Sequence, residues 1–420
     1  MNDVAQNYSA ILKSELQPAL GCTEPIALAF AGAHMKKVLG GMPEKVHIAV
    51  SSNVLKNAKS VTIPNSQGMI GIPAAVFLGI CGGDSSKGLE VLTDATEEDV
   101  EATKAHIRKK EHTLKVLKDV EGLYIEVKGF LPPDEALVVI KGAHTQISRI
   151  EKNGETVYEW HPETENNSED LYPSLNVKDI LEYARGPMDE EVLEVLEKQI
   201  MYNDTISKEG LKHPWGISVG AHLYGSSDNL ASRAAGRTAA GSDARMGGCT
   251  LPVVINSGSG NQGLCVSLPV MEYAAQFEKT HEQLLRALLV SNLISIRVKY
   301  GMGKLSAFCG AVSATTGAAA GIAFLMNENE EVINNTIINC LGNLSGVICD
   351  GAKASCAFKI ASSVQAAVTA YQLASKGSSF LPGEGIISED IEKTIDNITH
   401  LGLVGMRQTD KEIVDLMGIV

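Results

Sequence analysis

Residues 307–326 read AFCGAVSATTGAAAGIAFLM and carry no charged side chain over their whole length. Gly317 and Gly321 have the small-x-x-x-small spacing that lets two helices approach closely, in membranes or in soluble cores. Alanine, glycine, serine and threonine dominate the run, and they supply too little transfer free energy for a stable membrane span. We therefore predict a fully buried helix at the centre of a helical core.

The sequence around this run continues the helical pattern. Alanine is frequent and apolar residues recur at helical spacing through much of residues 173–420. Residues 1–42 also suit helices, with a break at residues 18–21. The predicted helices in the carboxyl-terminal part cover residues 177–204, 271–298, 304–326, 332–341, 353–375 and 388–401.

Residues 43–172 have a mixed pattern. Two helices are predicted, an apolar glycine-rich one at 71–83 and a charged one at 96–111. Asn153-Gly154 is a strong signal for a two-residue hairpin turn, and the polar residues 162–172 indicate a boundary. Extended runs occur at residues 45–50, 60–64, 123–128, 136–142, 146–151 and 156–160.

These patterns together predict an α+β fold. A mostly helical domain is expected from residues 1–42 and 173–420. A smaller mixed α/β domain with an antiparallel sheet is expected from residues 43–172.

Charge and composition exclude some classes of function. The chain of 420 residues has a formal net charge of -14, which disfavours a nucleic-acid partner. Its first residues are amphipathic and unlike a secretory signal, so we expect a cytoplasmic protein without a membrane partner. In that compartment the eight cysteines should be reduced thiols unless they bind metal or do chemistry.

Three of these cysteines, Cys309, Cys349 and Cys356, cluster late in the chain. Their spacing alone is weak evidence for a metal site, because cysteine is often a small buried apolar residue. Glycine or small residues next to each would leave space for a bulky inorganic group, and Lys304 and Lys353 would offset thiolate charge. The remaining cysteines after residue 80 are predicted to serve packing: Cys81, Cys249, Cys265 and Cys340.

Cys22 lies in the block Gly-Cys-Thr-Glu-Pro, residues 21–25. Thr23 as the cap and Pro25 within the first turn indicate the start of a helix. A thiol just before a helix N-terminus should have a lowered pKa. Cys22 is thus a candidate base, nucleophile or displaceable ligand, with an inert buried thiol as the alternative.

A glycine-rich run, residues 256–263, formally matches the dinucleotide fingerprint. We reject that interpretation because residues 264–268 look extended and no acidic strand follows at the right distance. A backbone nest that holds a carboxylate is the better interpretation, and a plain turn is the alternative. The residues predicted to bind substrate there are Ser257, Ser259, Asn261 and Gln262.

Two further places offer substrate contacts. Ser51 and Asn53, with Lys56, form a polar cluster after a predicted strand, although a capped turn would explain it equally well. Arg245 is a candidate for binding both oxygens of a substrate carboxylate.

The Gly-Cys-Thr-Glu-Pro block, the glycine-rich run and the Cys309, Cys349 and Cys356 trio together resemble the L-cysteine desulfidase family. That family is related to the α-chain of iron–sulfur L-serine dehydratases. The resemblance implies a [4Fe-4S] cluster on the trio, with one iron open to substrate and the position of Cys22 either a fourth ligand or a participant in proton transfer. Unlike many serine dehydratases, this chain does not end in cysteine, which favours the desulfidase.

The resemblance implies β-elimination of L-cysteine to pyruvate, ammonia and hydrogen sulfide by a carbon–sulfur lyase. Candidate bases are Cys22, Lys304 and Lys353. L-Serine dehydration is the nearest alternative, and no Schiff-base lysine or phosphate cup supports a pyridoxal phosphate enzyme. An iron–sulfur electron carrier or sensor, and a helical binding protein without a cluster, are alternatives of other classes. The glycine- and alanine-rich helices would suit a homodimer.

Overall fold

The computed structural model describes residues 3–161, 171–226, 229–303 and 306–417. About 60% of the described residues are helical, and a mixed sheet of mainly antiparallel strands accompanies the helices. The predicted α+β class is therefore confirmed.

The helices follow one another along most of the chain. Their bounds are α1 Asp3–Glu15, α2 Thr23–Leu39, α3 Ser52–Ala58, α4 Ile72–Gly82, α5 Glu97–Lys109, α6 Val177–Arg185, α7 Glu190–Lys212, α8 Val219–Gly225, α9 Leu230–Met246, α10 Gly260–Gln276, α11 His281–Met302, α12 Gly310–Leu325, α13 Glu330–Leu344, α14 Ser355–Ala374, α15 Ile391–His400 and α16 Arg407–Leu416.

The uncharged run forms helix α12, which is buried on nearly every side. A β-carbon on Gly317 would lie 2.2 Å from the carbonyl oxygen of Ser291, and one on Gly321 would lie 2.8 Å from that of Ala287. The two glycines thus let α11 and α12 pack backbone against backbone. Within the described ranges, no helix has both the length and the apolar character needed to cross a membrane.

The strands form one large sheet and one small one. Their bounds are β1 Pro18–Leu20, β2 Lys45–Ser51, β3 His112–Leu117, β4 Tyr124–Leu131, β5 Asp134–Lys141, β6 Ile147–Lys152, β7 Glu155–Glu159 and β8 Pro252–Val254. The six-stranded sheet has the order β3-β2-β4-β5-β6-β7 and is antiparallel except for the β2–β3 pair. Strands β1 and β8 form the separate antiparallel pair.

The hairpin signal and the apolar helix are confirmed. Asn153 and Gly154 join β6 to β7 with φ of 54° and 82°, the left-handed conformation that a two-residue hairpin needs. Residues 71–83 form α4 as predicted.

Several predicted boundaries are wrong. The single helix predicted over residues 177–204 is two, because Gly186 and Pro187 end α6 before α7 begins. Residues 271–298 are likewise shared by α10 and α11. The extended run at 60–64 forms only an isolated bridge from Thr62 to Ile70. The sequence prediction missed β3, whose side chains are mostly half-buried or exposed, because it lacks the apolar alternation of the inner strands.

Buried side chains form two large clusters. One surrounds α11 and α12 and includes apolar residues of α1. The other lies between the six-stranded sheet and the helices α2 and α4. Helix α2 falls within the segment that we assigned to the helical domain, yet it packs in the sheet cluster. The division into residues 1–42 with 173–420 and residues 43–172 stays a prediction.

Candidate active site

A cavity of about 120 Å³ is lined by residues from both parts of the fold. Most of the lining side chains are polar, charged or sulfur-containing. The lining comprises Cys22, Thr23, Glu24, Lys56, Asn57, His144, Arg245, Ser257, Gly258, Ser259, Asn261, Gln262, Lys299, Ser306, Phe308, Cys309, Gly310, Ala311, Cys349, Gly351, Ala352, Cys356, Lys359 and Ile360. The cavity thus brings together the cysteine trio, Cys22 and the glycine-rich run.

Backbone pairing holds Cys309 beside Cys349. Phe308 and Ile348 form an isolated antiparallel bridge. The amide of Cys309 donates to the carbonyl of Val347 at 2.9 Å, and that of Cys349 donates to the carbonyl of Ala307 at 2.6 Å. Because side chains alternate across extended backbone, the two cysteines lie on the same face of this bridge, and that face borders the cavity.

Cys356 reaches the cavity from the first turn of α14. Its amide donates to the carbonyl of Lys353 at 2.9 Å, and its thiol lies 3.7 Å from the carbonyl oxygen of Gly351. The Lys353 ammonium is bound to Asp350 at 2.6 Å and does not line the cavity. Lys353 therefore fastens the loop that carries the cysteines, and its predicted role as a base stays a prediction.

Positive side chains surround the trio. Lys359, three residues after Cys356 on α14, binds Asp350 at 2.5 Å and the carbonyl of Ile348 at 2.9 Å. Lys56 is buried and pairs with Asp410 of α16 at 2.5 Å. Burial lowers the pKa of Lys299 to about 8, although the neighbouring Cys349 and Cys309 act against this shift. These ammonium groups favour negative charge in the cavity.

The thiols of Cys309 and Cys356 resist ionisation because they are buried. Burial, with the charge of Cys349, raises the pKa of Cys309 to about 12, and burial also raises the pKa of Cys356. All the cysteines are free thiols. In the part of the chain that is described, no group of three or more His, Cys, Asp or Glu side chains is arranged to hold a single metal ion.

Helix α2 begins where the sequence indicates, but its N-cap is Cys22 and not Thr23 as predicted. The environment of Cys22 also differs from our expectation. Its thiol donates to Glu24 at 3.3 Å and packs near Cys356. Burial and the charge of Glu24 raise the pKa of Cys22, so the expectation of a lowered pKa is wrong. The effect of the helix N-terminus is too small to offset desolvation of the thiolate.

Glu24 is a buried carboxylate fixed by several donors. One oxygen accepts from Cys22 and from Thr23 at 3.1 Å, and the other accepts from Asn57 at 2.9 Å and lies 3.7 Å from His144. Burial alone would raise its pKa, yet the nearby His144 and the Cys22 hydrogen bond lower the pKa of Glu24 to about 2. The carboxylate is therefore ionised at neutral pH.

The glycine-rich run forms a turn with positive φ and then starts a helix. Ser257 and Gly258 have φ of 49° and 78°, and α10 begins at Gly260. Residues 264–268 are thus helical, and the first of our two reasons for rejecting the dinucleotide fold was wrong. The rejection rests instead on topology, because β8 pairs only with the antiparallel β1 and not in a parallel sheet.

Arg245 lies against this turn. The guanidinium is buried, and its Nε and Nη2 have no hydrogen-bond partner among the described residues. A β-carbon on Gly260 would lie 2.3 Å from Nε, so the glycine makes room for the arginine. The helix N-terminus and the unpaired guanidinium together form a cavity wall suited to a carboxylate.

Comparison with known proteins shows which family the chain belongs to. A family model described as serine dehydratase alpha chain matches residues 86–415. The chain belongs to the serine dehydratase alpha chain family. This membership points to a lyase-type amino acid dehydratase. The matched residues include the cysteine trio, whereas Cys22 lies before them.

Close relatives of this serine dehydratase alpha chain family member are UPF0597 proteins. The one from Lachnoclostridium phytofermentans is 50% identical over 410 residues, covering 97% of this chain and 98% of that protein. The one from Finegoldia magna is 44% identical and covers 98% of this chain and 99% of its own. The one from Treponema denticola is 43% identical, with 98% and 97% covered.

The remaining predicted residues of this family member lie elsewhere. Ser51 caps α3 and donates to the carbonyl of Gly122 at 2.7 Å, and neither Ser51 nor Asn53 lines the cavity. Of that polar cluster only Lys56 borders the cavity. Lys304 lies outside the described residues. The roles of these residues stay predictions.

Seven polar lining residues were missed: Thr23, Glu24, Asn57, His144, Lys299, Ser306 and Lys359. Two of them had a local signal. Glu24 is a lone charge at the start of an apolar helix, and Lys359 is one helical turn from Cys356. His144 and Lys299 had none, because only tertiary packing brings them to the cavity.

Gly351 controls the position of the cysteine loop, and its replacement by alanine should destabilise the protein by roughly 2 kcal/mol. Its φ is +96°, and an added β-carbon would lie 2.2 Å from the Lys56 carbonyl oxygen. Urea unfolding followed by circular dichroism measures the change. Gly346→Ala is the matched control, because nothing lies within 4 Å of that position. Equal midpoints for the two variants would contradict this account.

Proposed function

We propose that this protein is a [4Fe-4S]-dependent L-cysteine desulfidase. The reaction is β-elimination of L-cysteine, with water, to pyruvate, ammonia and hydrogen sulfide. The observation that carries the proposal is the convergence of Cys309, Cys349 and Cys356 on one cavity. Arg245 borders the same cavity, and its Nε and Nη2 have no hydrogen-bond partner among the described residues. Membership of a family of amino acid dehydratases supports the same class of elimination chemistry.

The residues present fit an iron–sulfur cluster. Three thiols border one cavity, and Lys359 and Lys299 would balance the charge of the thiolates. A cluster of four irons lies between its ligands, so its thiolates need not approach one another as the ligands of a single ion do. Three protein thiolates would leave one iron open, and the bound cluster would supply a Lewis acid for the leaving sulfur.

The chain itself would bind and orient the substrate. The guanidinium of Arg245 and the amides at the start of α10 would hold the substrate carboxylate. Ser257, Asn261 and Gln262 border the same wall. Fixing the carboxylate on one wall while the trio lies on another would direct the bond from Cα to the leaving group across the cavity.

L-Serine dehydration is the second candidate, favoured by the description of the family. A hydroxide and a hydrosulfide leave from the same carbon of otherwise identical substrates, so the same residues would serve both. A non-catalytic carrier or sensor has less support, because it has no need of a buried carboxylate-binding wall beside the thiols. We also propose that two copies of this chain form a homodimer.

Anaerobic purification, iron and sulfide analysis, and parallel assays test the proposal. We expect about four irons per chain, and faster sulfide release from L-cysteine than pyruvate release from L-serine. Faster turnover of L-serine would favour the dehydratase. A chain that holds iron but releases neither product would contradict both lyase assignments.

A further inference from the structure

The turn between β5 and β6 carries His144 from the sheet into the cavity. His144 is the only histidine among the lining residues in the described part of the chain. Its side chain is 13% exposed, and a β-carbon on Gly258 would lie 3.3 Å from its Cε1. The imidazole therefore packs against the turn that precedes α10, next to the proposed carboxylate site.

One nitrogen of this imidazole, Nε2, faces the carboxylate of Glu24. His144 Nε2 is buried, has no hydrogen-bond partner among the described residues, and lies 3.7 Å from Glu24 Oε1. Glu24 cannot move freely, because Cys22, Thr23 and Asn57 all donate to it. A fixed carboxylate at this distance stabilises an imidazolium, which is what a base becomes after it accepts a proton.

The other candidate bases are less well placed. The ammonium of Lys353 is bound to Asp350 outside the cavity lining, and the thiol of Cys22 is turned toward Glu24. Lys299 interacts with Cys309 and Cys349, which puts it on the cysteine wall, where the leaving group would lie. His144 instead lies beside the turn that would hold the substrate carboxylate, and Cα is bonded to that carboxylate.

We propose that Nδ1 of His144 accepts the Cα proton in the elimination, with Glu24, which lies beside Nε2, as the positioning residue; this rests on the proposed function. The Cα–H electron pair forms the Cα=Cβ bond, and the Cβ–S bond breaks with its electron pair remaining on sulfur. The proton held on His144 then neutralises the hydrosulfide, giving aminoacrylate and hydrogen sulfide. Water hydrolyses the imine tautomer of aminoacrylate to pyruvate and ammonia.

His144→Asn tests the role without removing bulk. We expect kcat for L-cysteine to fall roughly 10²- to 10⁴-fold, the range for a positioned base, while iron content and KM stay near those of the wild type. The kinetic isotope effect with L-cysteine deuterated at Cα should increase. Added imidazole should restore part of the turnover of His144→Ala. His34→Asn is the matched control, because His34 lies on α2 outside the cavity lining.

The outcomes separate this inference from the function itself. Wild-type turnover in His144→Asn, or loss of iron in that variant, would overturn the role of His144 and leave the desulfidase intact. A comparable fall in kcat with an increased isotope effect in Lys299→Met, together with wild-type values in His144→Asn, would assign the proton to the lysine. A wild-type holoenzyme that releases neither sulfide nor pyruvate would contradict the proposed function, and the role of His144 with it.

Discussion

Replacement of Cys309, Cys349 or Cys356 by alanine is expected to abolish both iron binding and turnover. Each thiol borders the same cavity, and a cluster with three protein ligands has no spare ligand to lose. The bridge between Phe308 and Ile348 fixes the backbone positions of Cys309 and Cys349, two of the three cysteines. We expect iron below one equivalent per chain and sulfide release at background.

Iron analysis and visible absorbance after anaerobic reconstitution measure this effect, alongside circular dichroism to verify folding. Cys81→Ala is the matched control, because Cys81 lies on α4 and does not line the cavity. Its iron content and turnover should equal those of the wild type. A folded Cys349→Ala variant that keeps a full iron complement would exclude Cys349 as a ligand.

Arg245→Lys is expected to lower kcat/KM for L-cysteine by about 10²- to 10³-fold. Two of its guanidinium nitrogens lack partners among the described residues, and a carboxylate would satisfy both at once. Lysine keeps the charge but cannot donate in the bidentate geometry, and it would leave part of the buried wall unsatisfied. Losing such a pair costs about 3–4 kcal/mol, which corresponds to that change in kcat/KM.

Steady-state kinetics on the reconstituted enzyme measure the change, and iron analysis should show the cluster retained. Arg237→Lys is the matched control on the same helix, α9, because Arg237 is paired with Asp204 and Glu272. We expect that variant to stay within about threefold of the wild type, since a lysine can still pair with either carboxylate. Equal kcat/KM for Arg245→Lys and the wild type would remove Arg245 from the substrate site.

The sequence determined the elements whose residues interact over short distances along the chain. The uncharged composition of residues 307–326 required burial, and α12 is the buried helix that results. Asn153-Gly154 required left-handed backbone and fixed the β6–β7 hairpin. In contrast, β3 lacks apolar alternation, and the sequence therefore did not predict it. The strand forms because it pairs in parallel with β2.

Only the tertiary structure decided which side chains share the cavity. Thr23 Oγ1 lies 2.9 Å from the carbonyl oxygen of Gly258, 235 residues along the chain, and a turn of the sheet brings His144 beside Gly258 and Glu24. Lys353 and Lys359 flank Cys356 at similar distances in sequence, yet only Lys359 borders the cavity. Hydrophobic periodicity and turn residues depend on residues that are close together in the chain, so the sequence predicts the elements they form. The cavity instead lies where two separately packed clusters of helices and strands meet, so its lining depends on the tertiary structure.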